Sequence, residues 1–486
     1  MWKKSLCSVS IALMVSQPLQ AANSTIETLL QDVITHYPAI KTAYIQVAKA
    51  QQENLKIQGQ LGWQLGAQGA FNKEVSLFGS PVDQTIVGGN LSRLLESGDR
   101  MSFSASVKYE DAEESFASLP NPATSSELKF EYIKPLGKGA GNIEYNNALQ
   151  NARASVDIES AARQQLLDDM ATQVIELYLA AINTNLQIEN TRASIKRTQK
   201  LSRFINDRLK LGIVEDKDQL QTDAQLESQR AQLSALQLAW TQQKIAINRL
   251  TGKTWNNPLT MSAPGFTYNK AMTPESEIIS VVQNSSQIKQ LDSLIAIAEN
   301  QIKIQRQNKK DQLDLKLYIG NKTSDGDSTA GDVSNSDVVA GVQLDFKQSV
   351  DQTADNAALY QAQLERGLHL QNKKLLLDNL HFDLASLLAE LKAVNNSIKA
   401  YQRSKRAEVK KLKDAEQRYK SGRIDIDQLL QFENQLSATD LSLNLQTMEL
   451  QQRLMKLALI KGELWKNIKL PVYDFENDDT IIGEDL

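Results

Sequence analysis

The chain has 486 residues, and 54 Lys+Arg against 58 Asp+Glu give a net charge of −4. That length admits two or three ordinary domains, and a balance slightly on the acid side argues against nucleic acid as a partner. A single cysteine excludes a disulfide framework and a cysteine-based metal centre.

Residues 1–21 read as a signal peptide. Lys3 and Lys4 form a charged start, Leu6 to Val15 an apolar stretch, and Leu19-Gln20-Ala21 a small-residue exit. The apolar stretch is too short for a membrane anchor. Cys7, the one cysteine, lies inside it and too early to be a lipidated cysteine, so the exported chain carries no thiol. Export without cysteine points to a bacterial envelope protein. No later segment is apolar for the length of a membrane helix, which leaves a soluble protein or a β-barrel.

Residues 22–252 form a first unit. After an opening helix, period-2 strands are expected within about 61–135. Leu61, Trp63, Leu65, Ala67 and Phe71 alternate with polar residues; so do Met101, Phe103, Ala105, Val107 and Tyr109, and Leu128, Phe130 and Tyr132. From Asn142 to Leu211, and again from Ile213 to Thr251, there is neither Gly nor Pro, and Ala, Leu, Gln, Glu, Lys and Arg dominate. These stretches read as very long helices broken at Gly212. The first would span roughly 105 Å at 1.5 Å per residue, so an elongated molecule is expected. Leu167, Met170, Val174, Leu177 and Ala181 give it a coiled-coil seam.

A linker at 253–273, with Pro258, Pro264 and Gly265, leads to a second unit at 274–466. Glu275 to Ile319 again lacks breakers and reads as helix, giving way to a strand at Leu313, Leu315, Leu317 and Ile319. Asn321 to Ser336, rich in Gly, Ser, Asp and Asn, reads as a loop. Val338, Ala340, Val342, Leu344 and Phe346 form the next strand, so that strands lie within about 311–347. Long helices follow, with Leu377, Leu380, Leu384, Leu387, Leu391, Val394, Ile398 and Tyr401 stepping by three and four. Residues 467–486 form an acidic tail, read as solvated.

The two units are copies. Arg208, Lys210, Gly212, Leu220, Gln221, Gln225 and Leu226 recur 210 residues later as Arg418, Lys420, Gly422, Leu430, Gln431, Gln435 and Leu436. Gly252 and Trp255 match Gly462 and Trp465 at the same offset, and Ile40-Lys41 matches Ile288-Lys289 at an offset of 248. A helix–strands–long helix–turn–helix unit was duplicated. The helical faces are used in seams, so the apolar strand faces need another partner, and a closed barrel in a bilayer supplies one. The second unit provides two strands and the first two to four, too few for one chain to close a barrel of about eight or more. An oligomer that builds one barrel jointly is therefore expected.

With this architecture the chain resembles the outer-membrane efflux protein family, the TolC-like trimeric channels. The resemblance rests on Arg208-Leu-Lys-Leu-Gly212-Ile-Val and Arg418-Tyr-Lys-Ser-Gly422-Arg-Ile, each followed about 40 residues on by Leu-Thr-Gly252 or Ile-Lys-Gly462. Ile133-Lys-Pro135-Leu-Gly137 resembles the family's strand-to-helix segment, and His36-Tyr-Pro38-Ala-Ile its first-helix start. It implies a mainly α fold with a membrane β-barrel: a homotrimer with a 12-stranded barrel in outer-membrane lipid and a long α-helical tunnel across the periplasm. The implied role is the exit duct of a tripartite efflux pump or type I secretion system, passive and opened at its periplasmic helical tip. The implied partners are a periplasmic adaptor (membrane fusion) protein and an inner-membrane transporter.

The resemblance also implies roles for residues. Leu211, Gly212, Ile213, Ser421, Gly422 and Arg423 match the turns that adaptors contact. Asp218 and Tyr419 match a bridging pair at the gate. A gate Arg corresponds to Ile424 here, with Arg423 beside it, and two constriction aspartates correspond to Gln428 and Gln431, with Asp425 and Asp427 nearby. The alternative for Asp425, Asp427, Glu215 and Asp216 is that they cap and charge helix starts.

No catalytic residues, cofactor or metal are expected. His36, His369 and His381 are far apart and none has metal-ligand spacing. The competing function is a soluble periplasmic coiled-coil scaffold or adaptor.

Overall fold

The computed structural model describes residues 24–75, 81–113, 120–262, 264–328, 330–473 and 475. The signal peptide and most of the acidic tail lie outside the described residues. In chain order the elements are α1 (Ile26–His36), α2 (Pro38–Gly59), β1 (Gln64–Val75), β2 (Pro81–Leu94), β3 (Arg100–Ala112), β4 (Ala123–Pro135), α3 (Ile143–Lys210) and α4 (Asp216–Leu250). The second copy supplies α5 (Pro274–Asn284), α6 (Ser286–Asn308), β5 (Gln312–Ser328), β6 (Gly331–Lys347), α7 (Thr353–Lys420) and α8 (Ile426–Ile460).

The duplication holds residue by residue. α3 and α7 each have 68 residues, α4 and α8 each 35, and both pairs start 210 residues apart. α1 and α5 each have 11 residues and start 248 apart. Four helices end on a glycine in the left-handed region: Gly212 at φ +68°, Gly252 at +68°, Gly422 at +70° and Gly462 at +68°. Each closes its helix with a six-to-one bond, as when Ile213 N–H donates to Arg208 O at 3.0 Å and Arg423 N–H to Arg418 O at 2.9 Å.

Two compact units divide the chain. The first takes in the described residues of 24–38, 168–280 and 383–472. Its core includes Leu29, Leu30 and Ile34 of α1, Tyr178 and Ile205 of α3, Leu384 and Leu391 of α7, and Met455 of α8. Tyr178 Oη donates to Ser262 O at 2.5 Å, and Trp465 Nε1 to Asp168 at 2.8 Å, which ties the linker and the chain after α8 to α3.

The second unit takes in the described residues of 39–167 and 281–382, with 473 and 475. Here Ile40 and Val47 of α2 and Ile288, Ala298 and Ile302 of α6 are buried, with Ala154 and Ala161 of α3. Small residues let these helices approach closely. The unit also holds a six-stranded antiparallel sheet in the order β1-β2-β3-β4-β5-β6.

Two sequence expectations change and one open count closes. The first copy has four strands, the upper end of the two to four expected, because β2 also pairs along its length although Gly88, Gly89 and Asn90 interrupt its alternation. Asn321 to Ser336 is not a loop: β5 runs to Ser328 and β6 starts at Gly331, with Asn321↔Val338 and Thr323↔Ser336 in register. Backbone ladder bonds do not need apolar side chains, and Gly331 at φ +118° allows a tight reversal. Finally, each copy opens with two helices. Pro38 is the first residue of α2, not of the first helix, and the breaker-free 275–319 stretch is split where Ser285 caps α6, its Oγ accepting from Ile288 N at 3.3 Å.

Candidate functional site

Two surfaces stand out, one in each unit. The first is the sheet. Register places Leu65, Leu91, Phe103, Phe130, Ile319 and Ala340 in one row that crosses all six strands. The neighbouring row runs Ala67, Gly89, Ala105, Leu128, Asn321, Val338, and on the other side Met101, Tyr132, Leu317 and Val342 align. Residues opposite each other in a ladder share a face, so these rows form one apolar surface. It is bare: Leu65 is 84% exposed, Leu128 64% and Val342 73%. On β6 the apolar positions Val338 to Phe346 cover nine residues, roughly 30 Å of strand.

The opposite face is charged and polar. Lys129 pairs with Glu131 at 2.9 Å, Lys108 with Glu110 at 2.7 Å, and Lys316 with Asp345 at 3.0 Å. Gln84 donates to Glu110 at 3.0 Å. Beyond Asn321 and Ser336 the β5–β6 hairpin carries polar residues and glycine on both faces, with Val333 as an exception. Among the described residues no helix is long and apolar enough to cross a membrane.

The second surface is the pair of helical turns at Gly212 and Gly422. Arg208 Nη2 donates to Lys420 O at 2.8 Å and joins them. The Arg208 guanidinium also lies 4.7 Å from the Phe204 ring centre, and Phe204 meets Tyr419 edge-on at 6.2 Å. Beneath the turns Ile205, Leu412, Ala415, Tyr419, Ile426, Leu429, Leu430 and Leu436 form a buried cluster. A cavity of about 480 Å³ opens there, lined by residues that include Arg197, Phe204, Leu412, Tyr419 and Glu433.

The residues singled out by sequence fall in different settings. Tyr419 is buried and its hydroxyl has no hydrogen-bond partner among the described residues. Burial pushes that hydroxyl above the usual tyrosine value, and the nearby Asp218 charge adds to the shift. Asp218 is half-buried, close enough to act on Tyr419 electrostatically. Asp425 caps α8, accepting from Gln428 N at 2.9 Å, which is the capping role. Asp427 accepts from Gln221 Nε2, and Gln431 lies one turn further along the same groove between α4 and α8. Arg423 is exposed, as are Leu211, Gly212, Ile213, Ser421 and Gly422. Glu215 does not cap α4 by its side chain and pairs with Lys217 at 3.3 Å.

Sequence reasoning missed one buried charge network. Arg197 Nη2 lies 2.6 Å from Glu433 Oε1, Ser194 Oγ donates to the same oxygen at 2.8 Å, and Gln229 Nε2 donates to Ser194 Oγ at 3.0 Å. The available signal was Glu433 standing between Leu429, Leu430 and Leu436, on the apolar stripe of α8.

The sequence matches no protein-family model, and no curated protein matches it. Its structure is similar to solved ones. CusC, described in terms of folding and transmembrane channel formation, superposes with a TM-score of 0.68 at 15% identity, covering 91% of this chain and 92% of that one. The outer membrane protein VceC from Vibrio cholerae gives 0.64 at 14%, covering 90% and 95%. The open state of the MtrE outer membrane channel from Neisseria gonorrhoeae gives 0.60 at 16%, covering 92% and 91%. The likeness spans nearly the whole of each chain, so this chain has their fold: long duplicated helices with an antiparallel sheet.

Proposed function

We propose that this chain is an outer-membrane duct that works as an oligomer, with the six-stranded sheet in lipid and the long helices in the periplasm. The observation that carries the reading is the apolar row from Leu65 to Ala340, which crosses all six strands and is covered by no other described element. A face of that width is costly in water and stable against acyl chains. The polar face opposite it, with Lys129, Glu131, Lys108 and Glu110, then lines an aqueous lumen.

A lone sheet has two open edges, β1 and β6, and a lipid environment cannot satisfy their backbone groups. Closure therefore needs further copies, and the resemblance points to a homotrimer. Twelve strands in a trimer correspond to four per copy, whereas the described residues of this chain carry six in one ladder.

The paired turns are the proposed periplasmic end. Leu211, Gly212, Ile213, Ser421, Gly422 and Arg423 are the proposed contact for an adaptor protein, which would couple the duct to an inner-membrane transporter. Asp218 and Tyr419 are the proposed gate pair, with Asp427 and Gln431 in the adjoining groove, Arg423 and Gln428 nearby, and Asp425 as a helix cap. The unpartnered Tyr419 hydroxyl supports this, because a neighbouring copy is free to supply its acceptor. The duct itself is passive and serves an efflux pump or a type I secretion system.

The test is behaviour in lipid. The mature protein should require detergent for solubility and raise the conductance of a planar bilayer. A protein that purifies from the periplasm without detergent and adds no conductance supports the scaffold or adaptor reading instead.

A further inference from the structure

The strand count carries a consequence for the duct, resting on the reading just given. β5 begins at Gln312-Leu313, 248 residues after β1 begins at Gln64-Leu65. That is the offset that relates α1 to α5 and α2 to α6. On β6, Val338, Ala340 and Val342 lie 210 residues after Leu128, Phe130 and Tyr132 of β4, the offset that relates α3 to α7. So β1 corresponds to β5 and β4 to β6. The two offsets differ by 38 residues, and β2 with β3 occupy 81–112 of that interval. In the second copy the corresponding strands β5 and β6 pair directly; in the first, β1 and β4 are held apart by β2 and β3.

We propose that β2 and β3 are a hairpin inserted between two duplicated strands and built fully into the barrel wall, so that three copies close an eighteen-stranded barrel in place of a twelve-stranded one. Three copies of six strands make eighteen. The occupant of each open edge is a second copy of this chain, β1 of one against β6 of the next.

Three observations support this. The hairpin is in full register with its neighbours, β2 with β1 from Val82 to Ser92 and β3 with β4 from Arg100 to Glu110. Its apolar residues fill the shared rows: Leu91 and Phe103 stand between Leu65 and Phe130, and the Phe103 ring lies 4.7 Å from Phe130. A hairpin folded away from the wall has no reason to match the lipid-facing pattern on both sides. Lastly, strand directions alternate through all six, so β6 runs opposite to β1. A copy placed edge to edge continues the antiparallel ladder without a parallel seam, and head-to-tail contacts of this kind form a ring when the rotation between copies closes. Barrel diameter grows roughly linearly with strand number, so the lumen cross-section at the sheet is about twofold larger than with twelve strands.

The experiment uses the full mature chain in lipid nanodiscs. Native mass spectrometry counts copies, electron cryo-microscopy counts strands, and cysteine pairs between β1 (Ala70→Cys) and successive β6 positions report the edge contact. Three copies, eighteen strands and disulfide-linked trimers are expected. A trimer with twelve wall strands and β2–β3 outside the wall overturns this proposal alone. So does a dimer, in which six strands per copy close a barrel of twelve. A water-soluble monomer overturns the duct reading together with it. As a second readout, Phe103→Arg on β3 is expected to lower the yield of membrane-inserted complex as strongly as Leu128→Arg on β4; insertion unaffected by Phe103→Arg overturns the proposal.

Discussion

The guanidinium of Arg197 on α3 holds both carboxylate oxygens of Glu433 on α8, with Nε 2.9 Å from Oε1 and 3.0 Å from Oε2. The Glu433 side chain is 7% exposed, and Ser194 and Gln229 extend the contact to α4, so three helices meet on one charge. Removing either partner strands the other beside an apolar cluster. Glu433→Gln and Arg197→Ala are each expected to cost about 1.5–3 kcal/mol, the scale of a hydrogen bond to a charged group. Arg197→Lys should recover only part, since lysine lacks the planar fork. Denaturant unfolding followed by helix circular dichroism measures this, and an unchanged midpoint in all three variants contradicts it.

The helix-ending glycines should differ in sensitivity. At Gly212 an added Cβ meets open space, so Gly212→Ala is expected to cost about 1–2 kcal/mol through its positive φ alone. At Gly252 the same atom would sit 2.8 Å from His36 Cβ, adding a clash with α1. Gly252→Ala should therefore lower the unfolding midpoint clearly more than Gly212→Ala, and equal losses would show that α1 yields freely.

Tyr419 should give an alkaline transition. Its folded pKa is raised above the free value of about 10, so its contribution is fully present below that pH. The contribution is lost as pH rises through the folded pKa, when a phenolate would form beside the Asp218 charge. Fluorescence of a probe placed on the turn at Ser421 should change above pH 10 in the parent and not in Tyr419→Phe. A transition that survives in Tyr419→Phe assigns it to another group.

If the paired turns close the duct, replacing Asp218 and Tyr419 together raises leak. The expected outcome is higher single-channel conductance at rest and faster antibiotic entry into cells than with either single replacement. Unchanged leak in the double variant removes both residues from the gate.

The helical half of this protein is close to the surface of its sequence. Breaker-free runs and Gly212 give α3 and α4 to within a few residues, and the glycines 210 residues apart place α7 and α8 as their copies, although Gly367 lies inside α7. Local pattern carries that information because a helix bonds within itself. The sheet is less legible. Gly88, Gly89 and Asn90 hide β2, and Asp325, Asp327 and Ser334 hide the far end of β5–β6. Those stretches are strands because partners distant in sequence complete their ladders, and backbone bonding leaves no side-chain signature. At the turns, the Asp425 cap could be read from its place before α8. The Arg197–Glu433 pair joins residues 236 apart, and no local period marks it.

Sidedness of the sheet is the central claim, and the depth of spin labels in lipid tests it most directly. Leu128 and Lys129 are adjacent on β4 and point to opposite faces. In the reconstituted protein, a nitroxide at 128 should be relaxed by oxygen dissolved in the acyl chains, and one at 129 by a water-soluble nickel complex. Two labels with the same aqueous accessibility would mean that the apolar rows do not face lipid, and the account of the chain as a membrane duct would fail.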